Sequence, residues 1–223
     1  MLLAGVCVFI PFVGPIVIKG WLITGFWARQ DERCETFPEF DFSNFGKYLE
    51  RGLWPFLVTL VSSFVLGLVM AIFVVPIVML TTLMVPNDNS AGSGCAAAVL
   101  FIIMMTLYLG LIVGMMFVLT PLTLRASIVQ DFGQSFNFAF VKRFVTIMWK
   151  EILLSSLFLM VVSIVLSCVG ILALCIGIYF AMVPVYFCWV HLHKQLYQLY
   201  LSRGGEPIPL SPKLSDAPLT PAV

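Results

Sequence analysis

Hydrophobic residues gather into a few long runs along this chain, and short polar segments separate the runs. The runs cover Met1 to about Trp27, Leu53–Met84, Ala96–Leu119 and Ile152–Val190. A membrane-spanning helix needs about 20 apolar residues at ~1.5 Å per residue. As one helix the last run would reach roughly 58 Å, about twice the thickness of the hydrocarbon layer, so two spans that meet at Ser167–Gly170 fit it better.

The pattern predicts an all-α fold, a polytopic integral membrane helical bundle of about five spans. We place them in a single transmembrane domain, 1–203, at 1–27, 53–84, 96–119, 152–168 and 171–190. Proline inside a helix removes a hydrogen bond and favours a kink, so Pro11, Pro15 and Pro76 are expected to bend or end helices. The segment from Pro86 to Ser90, continued by Gly92 and Gly94, is typical of a turn.

The basic residues fall into three groups that this topology places on one side of the membrane. Basic residues in short loops are retained in the cytoplasm during insertion, which predicts an N-terminus outside and a C-terminus inside. The members are Lys19, Arg29, Arg33, Lys47 and Arg51; Arg125, Lys142, Arg143 and Lys150; and Lys194, Arg203 and Lys213. Tryptophan favours the membrane interface, and all five tryptophans fall at this side: Trp21, Trp27, Trp54, Trp149 and Trp189.

Two cytoplasmic segments extend this topology. Over Phe138–Lys150 a helix would carry apolar residues on one arc and basic residues on the other, which is typical of a helix that lies among lipid headgroups. Lys142, Arg143 and Lys150 are the residues expected to contact anionic lipid there. Residues 204–223 hold five of the 13 prolines, a composition that predicts a disordered tail.

Composition narrows the chemistry that the chain can perform. Apolar residues make up 61% and charged residues 10%, with a net charge of +1, which argues against a soluble domain and a strongly basic nucleic-acid binder. The apolar runs of the second to fifth spans contain no ionisable Asp, Glu, Lys, Arg or His, unlike proton relays, ion-coupled carriers and intramembrane proteases. We therefore expect no catalytic residue and no cofactor.

A metal site is not expected either. His191 and His193 lie two apart, so on a helix they point about 200° away from each other and cannot chelate one ion. The six cysteines form no C-x-x-C pair and mostly lie in apolar runs, which favours a packing role.

Glycines in the spans are candidates for close helix contacts. Gly110 and Gly114 form a G-x-x-x-G step, and Gly170 and Gly177 share one face of the fifth span. Small residues at this spacing let two helix backbones approach closely in lipid. For Gly110 and Gly114 packing within the protein is favoured over a dimer interface.

Several short motifs together resemble DUF4013, an uncharacterised prokaryotic family of small polytopic membrane proteins. They are the Pro/Gly segment Ile10–Trp21, Phe37-Pro38-Glu39-Phe40-Asp41, Gly52 at the opening of a span, Thr120-Pro121-Leu122 through Arg125-Ala126, and Phe136–Phe140. The resemblance implies an all-helical membrane fold and carries over no catalytic residue.

The sequence therefore favours a non-enzymatic subunit, scaffold or assembly factor of a larger membrane complex. The alternative is a component that handles lipid or transports an apolar substrate, with Phe138–Lys150 at the headgroups. We expect a bacterial cytoplasmic (inner) membrane location. The expected partners are membrane lipids and other membrane proteins, in homo- or hetero-oligomers, and no nucleic acid.

Overall fold

The computed structural model describes residues 7–10, 12–27, 37–84, 91–172 and 177–215, and this part of the chain is all-helical. A 3-10 turn at Phe42–Asn44 precedes the second helix. The helices are α1 (Val13–Trp27), α2 (Phe45–Met84), α3 (Ala91–Val129), α4 (Phe132–Ser135), α5 (Phe138–Leu172), α6 (Gly177–Ser202) and α7 (Pro212–Ser215).

Three helices among the described residues, α2, α3 and α5, are long and apolar enough to cross a membrane. The prediction of an all-helical membrane protein is confirmed at this level. α1 is also apolar but has only 15 residues. The 40 residues of α2 correspond to about 60 Å, twice the thickness of the hydrocarbon layer.

Helix boundaries differ from the predicted spans in three places. α2 continues through Pro76, and α3 continues past Pro121 to Val129. α3 already begins at Ala91, so the two glycines assigned to the turn are helical, while the predicted turn itself lies outside the described residues. α5 runs through Ser167–Gly170 to Leu172, so the residues of the predicted break are helical, and α6 begins at Gly177.

Each long helix has a packed half and an apolar half that the described residues leave uncovered. The buried side chains of α2, α3 and α5 include Val58, Leu124, Ile128, Phe144 and Ile152, which all lie toward one end of the bundle. In contrast, 60–79, 98–116 and 153–172 carry most of the exposed large apolar side chains. We call the first region the packed end and the second the open legs.

α1 crosses α2 at two glycines. A Cβ on Gly20 would overlap the carbonyl oxygen of Tyr48, and one on Gly52 would overlap that of Ile16. Only hydrogen at both positions permits this backbone contact. α1 also packs against α6, where Ile18, Trp21 and Leu22 join the core.

The predicted amphipathic helix forms the beginning of α5, and the middle of its apolar face is buried in the chain, whereas Phe138 and Trp149 at its two ends are exposed. Phe144 and Met148 are fully buried against α3 and α6, and Val141 is buried against α2 and α3. Met148 leaves the helical backbone region (φ −121°, ψ 18°), which separates this segment from the rest of α5. The chain's own core covers the middle of the face because it offers the same apolar environment as lipid.

The predicted disorder does not hold for residues 204–215, which pack on the bundle. Prolines at 207 and 209 carry no N–H, so few backbone donors need partners here. The N–H of Glu206 donates to the Tyr200 hydroxyl (3.2 Å) and that of Ile208 to the Tyr197 hydroxyl (2.8 Å). Leu214 is fully buried. The remaining tail, 216–223, lies outside the described residues.

Candidate functional site at the packed end

Members of all three basic groups lie together at the packed end. Arg51, near the start of α2, bonds to Lys213 in α7. Arg143 in α5 pairs with Glu206, and Arg203 at the end of α6 pairs with Glu151 in α5. These contacts bring residues from distant parts of the sequence to one level of the bundle, and they define the candidate functional site.

Arg51 is the centre of this region. It is buried, and its guanidinium donates to the Thr24 hydroxyl of α1 (3.0 Å) and to the carbonyl oxygen of Lys213 (2.6 Å). The Lys213 ammonium in turn pairs with Glu50 (2.6 Å). One short stretch of the tail is therefore held by both a buried cation and an exposed carboxylate of α2. We call this set of contacts the tail clamp.

A second connection ties α5 to the end of α6. Arg203 donates to the Glu151 carboxylate (2.6 Å) and to the carbonyl oxygen of Ile147 (3.2 Å). The Glu151 carboxylate raises the pKa of Arg203 above its ordinary value. The Ile147 carbonyl lies next to Met148, whose backbone is not helical (φ −121°, ψ 18°), so Arg203 also contacts α5 at its kink.

The basic residues predicted to meet lipid are exposed, but they are not equivalent. Lys142 and Lys150 are exposed on α5, and the Lys150 ammonium lies 5.4 Å from the Trp149 ring centroid. Arg143 is held by Glu206 (3.3 Å) and by the carbonyl oxygen of Gly204 (3.1 Å). Its role in the described chain is to fasten the tail.

The five tryptophans lie in different surroundings. Trp21 is buried, with 2% of its surface exposed, and its indole N–H donates to the Pro38 carbonyl oxygen (3.0 Å), so the ring packs in the core of the described chain. Trp149 is exposed. Trp27, Trp54 and Trp189 are half-buried.

The glycines predicted to make close helix contacts also lie in different surroundings. Gly110 and Gly114 lie on an open leg, where no described heavy atom comes within 4 Å of an added Cβ. Packing within the chain is therefore not seen at these two positions in the described structure. Gly170 is buried and Gly177 half-buried near the junction of α5 and α6. Sequence reasoning overlooked the backbone contact at Gly20 and Gly52, whose only signal was their position near the ends of apolar runs.

The histidine pair serves packing. His193 is buried and its ring lies 4.0 Å from the Trp189 ring, while His191 stacks on Phe187 (6.4 Å). Burial lowers the pKa of His193 to about 3, so the imidazole is neutral at physiological pH. Within the described ranges no group of three or more His, Cys, Asp or Glu side chains is placed to hold a metal ion.

The tail clamp could not be read from local motifs, because Arg51 and Lys213 are far apart in the sequence. The weak signal available was an arginine directly before an apolar run, Gly52-Leu53-Trp54, where a cation needs a partner if it is buried.

Comparison with known proteins identifies the family. The model of the family described as Protein of unknown function (DUF4013) matches residues 3–176, and the chain belongs to that family. No curated protein and no solved structure matches the chain. The resemblance drawn from the short motifs is thereby confirmed.

Proposed function

We propose that this member of the DUF4013 family is a non-enzymatic integral membrane subunit, scaffold or assembly factor of a larger membrane complex. The observation that carries the proposal is the exposure of the open legs. In each of the three long helices, at most 11% of the most apolar stretch of 18 residues is buried against the rest of the described chain. A bundle that worked alone through an interior site would bury more of its helices against one another.

The open legs suit partners in the membrane. Lipid solvates an apolar helix as well as another helix does, so association depends on close backbone approach at small residues. Gly110 and Gly114 supply such a surface on α3, and the described part of the chain leaves it uncovered. The packed end supplies a rigid base for the legs, since the tail clamp connects α1, α2 and α7.

The finer topology belongs to the same proposal. In it the chain crosses a bacterial cytoplasmic membrane about five times, with the N-terminus outside and the packed end in the cytoplasm. The meeting of Arg51, Arg203 and Lys213 with their partners at one level supports it, because the positive-inside rule requires these residues on one side.

The proposal is tested by purification of the native protein in mild detergent, with mass spectrometry of all stoichiometrically bound molecules. We expect a fixed membrane-protein partner or a homo-oligomer. The double variant Gly110→Ile and Gly114→Ile should reduce the size of the complex. Gly67→Ile is the matched control, because Gly67 lies on the open leg of α2 with equal free space. An unchanged complex in the double variant would contradict a contact at this face of α3.

A second candidate is a lipid-handling or lipid-facing transport component. It is favoured by the exposed cations Lys142 and Lys150 beside the exposed ring of Trp149. Replacement of Lys142, Arg143 and Lys150 by Gln should then lower the amount of co-purified anionic phospholipid. If this variant keeps its lipid content and the protein has a fixed protein partner, the result favours a complex subunit over a lipid-handling component.

A further inference from the structure

Lys19 is a cation inside an apolar helix. Its neighbours Ile18 and Gly20 are buried, and Lys19 itself is half-buried between α1 and α6. The ammonium lies 5.1 Å from the ring centroid of Trp189 and 5.6 Å from that of Tyr186. The side chain therefore ends against an aromatic surface of α6.

Lys19 has no carboxylate partner among the described residues, where the ion pairs involve Arg143, Arg203 and Lys213. Aromatic faces attract a cation but offset only part of the cost of removing an ammonium group from water. His193, buried behind Trp189, brings no negative charge. Among the described residues, the position is thus positively charged, aromatic on one side and short of an anion.

We propose that Lys19, Tyr186 and Trp189 form a binding site for a phosphate group, carried by an anionic phospholipid or present as a free phosphate ion. A lysine ammonium binds phosphate as a point charge through charge-assisted hydrogen bonds. Tyrosine adds a hydroxyl and tryptophan an indole N–H, both hydrogen-bond donors. All three side chains are half-buried.

This site differs from the basic surface of α5. Lys142 and Lys150 are exposed, and water and salt screen them. Lys19 sits between two helices with a fixed aromatic wall, which restricts the position of a bound anion. The inference depends on neither candidate function, since a structural phosphate or lipid would fit both.

The test uses the full-length protein in detergent, titrated with phosphatidylglycerol and separately with phosphatidylcholine, with binding followed by native mass spectrometry. We expect phosphatidylglycerol to bind more tightly than phosphatidylcholine. Lys19→Gln should weaken phosphatidylglycerol binding by about fivefold or more, the effect of one positive charge near a headgroup. Lys19→Arg should bind within about twofold of the wild type because it keeps the charge. Lys150→Gln is the exposed control and should have a smaller effect than Lys19→Gln.

Competition by inorganic phosphate separates the two sources. Displacement of phosphatidylglycerol by millimolar phosphate identifies a site for the free ion, and retention of the lipid identifies a headgroup site. Equal binding by wild type and Lys19→Gln, or equal loss in Lys19→Gln and Lys150→Gln, overturns the proposal.

Unfolding without added lipid provides the remaining control. Lys19→Gln loses the two cation–π contacts, so without added lipid it should unfold only slightly more easily than the wild type. A large loss of stability would mean that a carboxylate of the chain itself pairs with Lys19, which also overturns the proposal. Should Lys19→Gln fail to fold, Trp189→Leu keeps the charge and removes the aromatic wall, and it should still weaken phosphatidylglycerol binding. Unchanged binding by that variant counts against the site.

Discussion

The guanidinium of Arg51 donates a 2.6 Å hydrogen bond to the carbonyl oxygen of Lys213, although 162 residues separate the two in the sequence. Glu50, the neighbour of Arg51, binds the ammonium of the same lysine. The start of a long membrane helix and the tail of the chain are thus joined through both the backbone and the side chain of one residue. This relationship helps to explain why the proline-rich segment 204–215 packs on the bundle.

Loss of the Arg51 guanidinium should destabilise the protein. Arg51→Gln leaves the Lys213 carbonyl and the Thr24 hydroxyl without their buried donor, at a cost of about 1–3 kcal/mol. The measurement is the free energy of unfolding in mixed micelles of mild detergent and SDS, followed by tryptophan fluorescence. Arg143→Gln, which breaks an exposed ion pair, is the control and should cost less than about 1 kcal/mol. Equal effects in the two variants would show that the burial of Arg51 is unimportant.

The crossing of α1 and α2 should not tolerate a side chain at Gly52. Gly52→Ala places a methyl group against the carbonyl oxygen of Ile16, so the helices must separate, at about 1–3 kcal/mol. Gly67→Ala, in the same helix but in open space, should be neutral or stabilising by up to about 1 kcal/mol. The same unfolding assay compares them, and a neutral Gly52→Ala would refute the close contact.

The tail should contribute measurable stability through Leu214. Leu214 is fully buried (0% exposed), so Leu214→Ala should lower the free energy of unfolding by about 2–5 kcal/mol. Leu210 lies in the same tail but is 47% exposed, and Leu210→Ala should change stability by less than about 1 kcal/mol. Protease sensitivity of the tail gives a second readout. If both variants behave alike, the tail does not pack as described.

The proposed orientation can be measured with a membrane-impermeant maleimide on intact bacterial cells. In a variant whose six native cysteines are replaced, Asp88→Cys should be labelled from outside, and Lys142→Cys only after the membrane is broken. The reason is that basic residues such as Lys142 are retained on the cytoplasmic side. The reverse pattern would invert the orientation, and labelling of both from one side would exclude a single crossing by α3.

Part of the fold could be predicted from the length of the apolar runs and the positions of the charges, because both can be read from short stretches of the sequence. The runs at Leu53–Met84 and Ala96–Leu119 identified the apolar parts of α2 and α3, because a membrane span is recognised by length and composition alone. The long run after Ile152 was divided into two spans at Ser167–Gly170, but α5 continues through these residues to Leu172. Length sets the number of helices that fit, whereas the position of the break depends on local backbone geometry.

Only part of the candidate site could be predicted from the sequence. Lys142 and Lys150 were found because charge near an apolar run is visible in the sequence. Arg51 was counted among the basic residues, but its burial and its partners were not foreseen, since hydrogen-bond partners far along the chain leave no local pattern.

The sequence by itself determined that this protein is helical, apolar and a member of its family, because hydrophobic length and short motifs are local properties. Only the tertiary structure decided which helix faces are covered. It placed Phe144 and Met148 of the amphipathic segment in the core and left Gly110 and Gly114 open, and it fastened the tail to Arg51. An apolar face is satisfied equally well by lipid, by a partner and by the chain's own helices, so pattern alone cannot choose among them.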